Sequence, residues 1–319
     1  MLTYPLKHIP TSQASLAMGV MGLGLAWSLY FPSTAIVMRP LCAIIAVFLL
    51  APVLGKYLRF PSLFFNDLRH PLNGSLMAPM TMCLLVIADY LTSLNTLVAR
   101  FIWYPAMTIH ISMMIYFFYY QLKNLRLTNL LPSWFLYPVG AISGTLAGQE
   151  LGHYQFTELM TYLCISTYFV MLPIVLHRLC FMGRLPRPAR PTLAIMAAPV
   201  NLSLTAYMVN NPSPDPILVG ALAGIAITMT LLVYLCYFYL LSQRFHPSIA
   251  AITFPSVISS VAMGQITLWF AQYHSHWTWL HRLGFIELMI ATGLVLWVCW
   301  LYIQFYFPNN KKKHAVQHS

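Results

Sequence analysis

Apolar runs long enough to cross a bilayer recur along the whole of this 319-residue chain. About 20 consecutive apolar residues in a helix span the hydrocarbon layer. Hydropathy marks ten such segments, at roughly 12–30, 34–56, 73–91, 99–122, 133–150, 156–179, 190–209, 215–241, 246–272 and 279–307. The gaps between them are under about 20 residues, too short to fold alone, so residues 1–319 read as a single transmembrane domain. Only 7% of the residues are charged, against about 25% in a soluble domain. In lipid every backbone N–H and C=O must find a partner inside the protein. Runs of this length meet that demand as helices, which predicts an all-α polytopic membrane protein with ten transmembrane helices.

Charge sets the expected orientation. Lys7, Lys56, Arg59, Arg69, Lys123, Arg126, Arg178, Arg184, Arg187, Arg190, Arg244 and Lys311–Lys313 fall on one side of such a chain, 14 of its 17 basic residues. Only Arg39, Arg100 and Arg282 fall on the other. Positive connections stay in the cytoplasm, so both termini are expected there, as an even number of spans requires. Asp89, Glu150, Glu158 and Asp215 lie near the opposite ends, Asp67 on the basic side and Glu287 within span ten. The first apolar run is followed by no small-residue cleavage site, so it is read as span one and not as a signal peptide. The net charge of +11 is spread over short connections and forms no patch, which argues against nucleic acid. None of the six cysteines forms a C-x-x-C pair, so no zinc site, disulfide framework or cofactor is expected.

A proline period adds architecture. Pro79, Pro138, Pro199 and Pro255 lie in spans three, five, seven and nine, at spacings of 59, 61 and 56 residues. One further step back reaches the cluster of Gly19, Gly22 and Gly24 in span one. Fixed-period similarity marks a repeated unit. Here the unit is a hairpin of one broken, small-residue helix and one bulky apolar helix. Five helical hairpins, with the odd spans inward, would enclose a central pore. Pro52, Pro105 and Pro173 in even spans blur the pattern.

Span nine is the sharpest case. Pro255 inside it removes a backbone donor and should kink the helix, throwing Phe254 inward. Ser256, Ser259 and Ser260 could satisfy the freed carbonyls. The pore is expected to be lined by small and hydroxyl side chains and by groups loosened at the kinks, near Gly19, Gly22, Pro79, Pro138, Pro199, Pro255, Ser256 and Ser259. No charged residue lies deep in an odd span. A charge at mid-bilayer usually marks an ion or proton relay, so passive flow past a steric constriction, with Phe254 as the gate, is favoured.

These residues resemble the tellurite-resistance/dicarboxylate transporter family, which includes the bacterial TehA channel and the slow-type anion channels of plant guard cells. The resemblance covers about residues 10–307. It is carried by Pro10, Gly19, Gly22, Gly24, Ala26 and Trp27, by Arg69, His70, Pro71 and Pro79, and by Tyr137, Pro138, Val139 and Gly140. Ala198, Pro199, Ala206 and Tyr207, then Thr253, Phe254 and Pro255, complete it. It implies five hairpins around a pore, permeation of small inorganic or carboxylate anions gated by Phe254, a homotrimer with one pore per subunit, and a bacterial inner membrane. Leu172 stands before Pro173 where bacterial members carry a glutamate, which leaves any coupling through that acid open. A coupled carrier for tellurite, C4-dicarboxylates or sulfite is the alternative, with Glu287 and His110 as suspects. Glu150 and His153 have the spacing of half a metal pair, but the matching pair a di-metal bundle needs is not found. An outer hydrogen-bonding pair is the reading taken. No nucleophile with an acid–base partner suggests an enzyme.

Overall fold

Helix is the default winding in lipid because it pairs its own backbone groups, whereas irregular backbone survives only where protein surrounds it. Both kinds of segment occur here, and they sort by position. The computed structural model describes residues 6–123, 125–272 and 278–308; the expected basic cluster Lys311–Lys313 lies outside them. The outer elements are long, continuous helices: α2 (Ala35–Arg59), α6 (Thr96–Lys123), α8 (Tyr154–Phe181), α10 (Pro216–Leu240) and α12 (Thr278–Tyr306). Between α2 and α6 lie the short α3 (Pro61–Arg69) and α4 (Pro71–Ser75). The inner helices are shorter: α1 (Gln13–Tyr30), α5 (Ala78–Thr92), α7 (Thr145–Gly148), α9 (Ala198–Asn210) and α11 (Thr253–Ala271).

The odd spans close on themselves. α1 packs against α5, α5 against the 140–148 segment, that segment against α9, α9 against α11, and α11 back against α1. Each outer helix lies on its own inner partner and also on the next one round: α2 on α1 and α5, α8 on α7 and α9, α10 on α9 and α11, α12 on α11 and α1. Burial follows this plan. The spans Pro247–Ala271, Arg187–Asn210 and Pro71–Thr92 are 94%, 83% and 78% buried, whereas the outer spans are 28–33% buried. Outward faces carry exposed Ile36, Phe48, Phe101, Ile115, Phe238 and Leu296, suited to lipid.

Eight of the described helices are long and apolar enough to cross a membrane. The other two expected spans fall short of that test. Span one is the 18-residue, glycine-rich α1. Span five is mostly 3-10 helix, Pro132–Leu136 and Gly140–Gly144, followed by the four-residue α7. A 3-10 helix rises about 2.0 Å per residue against about 1.5 Å for an α-helix, so a short segment gains reach by winding tightly. Span five is also squeezed. A Cβ at Gly140 would stand 2.7 Å from the Met82 sulfur, and one at Gly144 3.0 Å from the Met107 sulfur. Only glycine lets neighbouring helices approach so closely.

The prolines do not kink helices at mid-length. Pro79 and Pro199 sit in the first turns of α5 and α9, and Pro255 is the third residue of α11. Each marks the change from a turn or 3-10 segment to α-helix, where the missing N–H has no partner to lose. Pro138 lies in the turn between two 3-10 segments. A second proline series, Pro10, Pro71, Pro132, Pro191 and Pro247, opens the inner spans at spacings of 61, 61, 59 and 56 residues. It repeats as regularly as the first series and was equally available in the sequence.

Candidate functional site

The contacts of α11 show what faces the middle of the ring. Toward α1 it presents Thr253, Val257, Ser260 and Gly264. A Cβ on Gly19 would lie 2.5 Å from the Thr253 hydroxyl, one on Gly22 3.0 Å from Val257, and one on Gly264 3.4 Å from the Tyr30 ring. The Tyr30 hydroxyl donates to the Ser260 carbonyl at 2.9 Å. Toward α12, Met263 and Ser260 meet Gly284. Toward α10, Ser256 meets the Tyr237 hydroxyl at 2.5 Å. With 3.6 residues per turn, the stripe left beside α1 and away from the outer helices is Phe254, Val261 and Gln265. α9 closes its far side. Phe254 is 5% exposed, and among the described residues it stacks on no other ring.

The same construction on α1 assigns Ser15, Gly19, Gly22 and Tyr30 to α11. Gln13 and Gly24 face α2, and Ser12 and Trp27 face α12. Leu29 also lies against Gly264 of α11, and Met18 and Leu25 are left outside these contacts. The expected lining is therefore redistributed. Gly19 and Gly22 are contact points between α1 and α11. Ser256 donates to the Ile252 carbonyl at 2.8 Å, and Ser259 to the Ser256 carbonyl at 2.9 Å. These hydroxyls serve the backbone and the outer helix.

Back-bonding of this kind recurs in spans five, seven and nine. Ser143 donates to the Gly140 carbonyl, Thr145 to Ile142, Asn201 to Ala197 and Thr253 to Ala250, at 2.7–2.8 Å. A carbonyl freed where the winding changes is thus capped within about one turn, as the cost of burying it unpaired demands.

The other polar candidates resolve into structural roles. His110 is fully buried on α6. Its Nε2–H donates to the Tyr137 carbonyl at 2.9 Å, which leaves Nδ1 to accept from Thr81 at 2.7 Å. One outer side chain therefore ties spans three and five together. His153 pairs with the Tyr104 hydroxyl at 2.7 Å and stacks on Trp103; it does not form the expected pair with Glu150. Among the described residues no group of three His, Cys, Asp or Glu side chains could hold a metal ion. Glu287 keeps one buried carboxylate oxygen without a hydrogen-bond partner among the described residues. Several basic residues are structural too. Arg178 donates twice to the Thr128 carbonyl and once to Gly183, and Arg69 lies over the Tyr116 and Tyr120 rings. His246, just before span nine, accepts the Ser248 N–H through Nδ1 at 3.2 Å. Burial holds its pKa below the ordinary histidine value, which suits an acceptor that must stay neutral.

Comparison with known proteins places this geometry. A family model described as voltage-dependent anion channel matches residues 8–306. An uncharacterized transporter of Methanocaldococcus jannaschii is 25% identical over 181 residues, 52% of this chain and 53% of the relative. A second from the same organism is 23% identical over 178 residues, 51% of each. The matched stretch spans about half the length of these relatives.

Proposed function

The chain belongs to the voltage-dependent anion channel family, and from that premise we propose that it is a passive channel for small inorganic or carboxylate anions, with Phe254 as its gate. The observation that carries the reading is the closed packing cycle of the five inner spans, with Phe254 buried on a face of α11 that none of its contacts with the outer helices uses. The interior is neutral, since no charged residue lies deep in an inner span. A constriction made of an apolar ring blocks ions by steric bulk and by dewetting. The basic connections belong on the cytoplasmic side of a bacterial inner membrane by the positive-inside rule, and that side would gather anions. A homotrimer with one pore per subunit is the assembly that goes with this reading.

The test is anion flux. Protein reconstituted in liposomes should pass chloride, nitrate and small carboxylates down their gradients without a proton requirement. One observation favours a second reading, a coupled carrier for tellurite, C4-dicarboxylates or sulfite. The unpartnered Glu287 oxygen is the kind of buried group that proton relays use. Saturable uptake that needs a pH gradient and is lost in Glu287→Gln would replace the channel by that carrier.

A further inference from the structure

A polar cavity of about 300 Å³ lies at the end of the molecule where the inner spans begin. It is lined by the starts of span one (Lys7 to Ser12), span three (Leu72, Asn73, Leu76) and span nine (His246 to Ser248), three neighbours in the ring. Asp67 is the one carboxylate among its lining residues, and that carboxylate is used up. Its Oδ2 accepts from Lys56 and from the Tyr57 hydroxyl, each at 3.0 Å, and its Oδ1 accepts from Asn73 at 3.3 Å. Lys56 also donates to the Ile9 carbonyl and the Thr11 hydroxyl at 3.2 and 3.3 Å. The Lys56–Asp67 pair is therefore a clamp that fixes the segment before α1, and its charges cancel.

Two donors on the same wall remain uncommitted. The Lys7 ammonium has no partner among the described residues. His246 spends Nδ1 on the Ser248 N–H, which fixes its proton on Nε2, and that N–H also has no partner there. The cavity thus combines a net positive field, free N–H donors and no free carboxylate. Its size exceeds a bare halide and takes a hydrated inorganic anion or a small dicarboxylate, held loosely enough to leave again, as conduction requires.

We propose that this cavity is a loading site where a small anion binds against Lys7 and His246 before entering the ring. The proposal rests on the anion-channel reading and adds a binding step to it. It is tested on the full chain in phosphatidylcholine liposomes, whose headgroups carry no net charge and so cannot supply the ligand. Chloride flux is measured against chloride concentration. His246→Asp keeps a side-chain acceptor for the Ser248 N–H and reverses the local charge. Lys7→Gln alters an exposed turn and leaves the packing alone. Each should raise the half-saturating concentration about fivefold or more with little loss of maximal rate. Chloride-35 line broadening on detergent-solubilised protein reads binding without flux, and it should fall in His246→Asp and Lys7→Gln. Unchanged half-saturation and unchanged broadening in Lys7→Gln and in folded His246→Asp would overturn the loading site. Absence of flux in wild type with broadening that still depends on Lys7 and His246 would instead remove the channel reading and leave the binding site standing.

Discussion

The two helices of one hairpin, α11 and α12, carry similar hydrophobicity but opposite designs. α12 runs 29 residues without a break and shows Ile286, Leu296 and Trp300 to the membrane. α11 is preceded by a 3-10 stub, Pro247–Ile252, and nearly all of that span is buried. Lipid tolerates only fully paired backbone, so the outer helix is regular. The inner span has protein on every side, so it can change winding, provided a hydroxyl closes each freed carbonyl. Proline does not distinguish the two classes. Pro40, Pro52, Pro105 and Pro173 lie inside outer helices without breaking them. A proline followed within two residues by Thr, Ser or Asn is the inner signature, as at Pro79 with Thr81, Pro199 with Asn201 and Pro255 with Ser256.

The largest expected effect is at the point where the two classes meet. His110→Ala removes the bridge from an outer helix to two inner spans and strands the buried Tyr137 carbonyl. It should cost about 3 kcal/mol, read as a loss of thermal stability in detergent, whereas Ile115→Ala on the lipid face of the same helix should cost almost nothing. Gly19→Ala drives a methyl into Thr253 and should cost about 1–3 kcal/mol. Gly220→Ala on α10, with nothing within 4 Å of the new carbon, should be neutral or stabilising, since alanine is the better helix former. Equal effects at these two glycines would erase the inner–outer distinction.

Ser256→Ala leaves the Ile252 carbonyl and the Tyr237 hydroxyl without this partner. About 1–2 kcal/mol is expected, and Ser242→Ala, an exposed hydroxyl just beyond α10, should show none of it. The smallest effect concerns His246. Its folded pKa lies below its unfolded value, so the unfolded chain takes up the proton first as pH falls. The cap at Ser248 is fully present above about pH 6.5 and is lost below it, a change of about 1 kcal/mol. His246→Asn should flatten that part of the stability–pH curve. The titratable groups sharing its cavity are Lys7, His8, Lys56 and Asp67.

Much of the architecture was legible because it follows from solvent and period. Hydropathy located the eight described helices that are long and apolar enough to cross a membrane to within a few residues, and the proline period with the small-residue content of odd spans anticipated the closed packing of the inner spans. The winding was not legible. Span five has the hydropathy of a helix, yet Gly140, Gly144 and Gly148 let neighbours press so close that the backbone tightens to 3-10. Nor did residue type show which way a group points. Ser256 and Gly19 look like lining, but each touches another helix. The cavity-lining donors Lys7 and His246 were hidden because one looked like a topology signal and the other like a helix start.

The account centres on an apolar ring at 254 standing across an otherwise neutral route. The most direct measurement is chloride efflux from liposomes containing Phe254→Ala beside wild type, with folding checked by thermal unfolding. The account predicts a several-fold faster efflux in the variant, because the ring that fills the route is gone. Efflux unchanged from wild type in a variant that folds would contradict it.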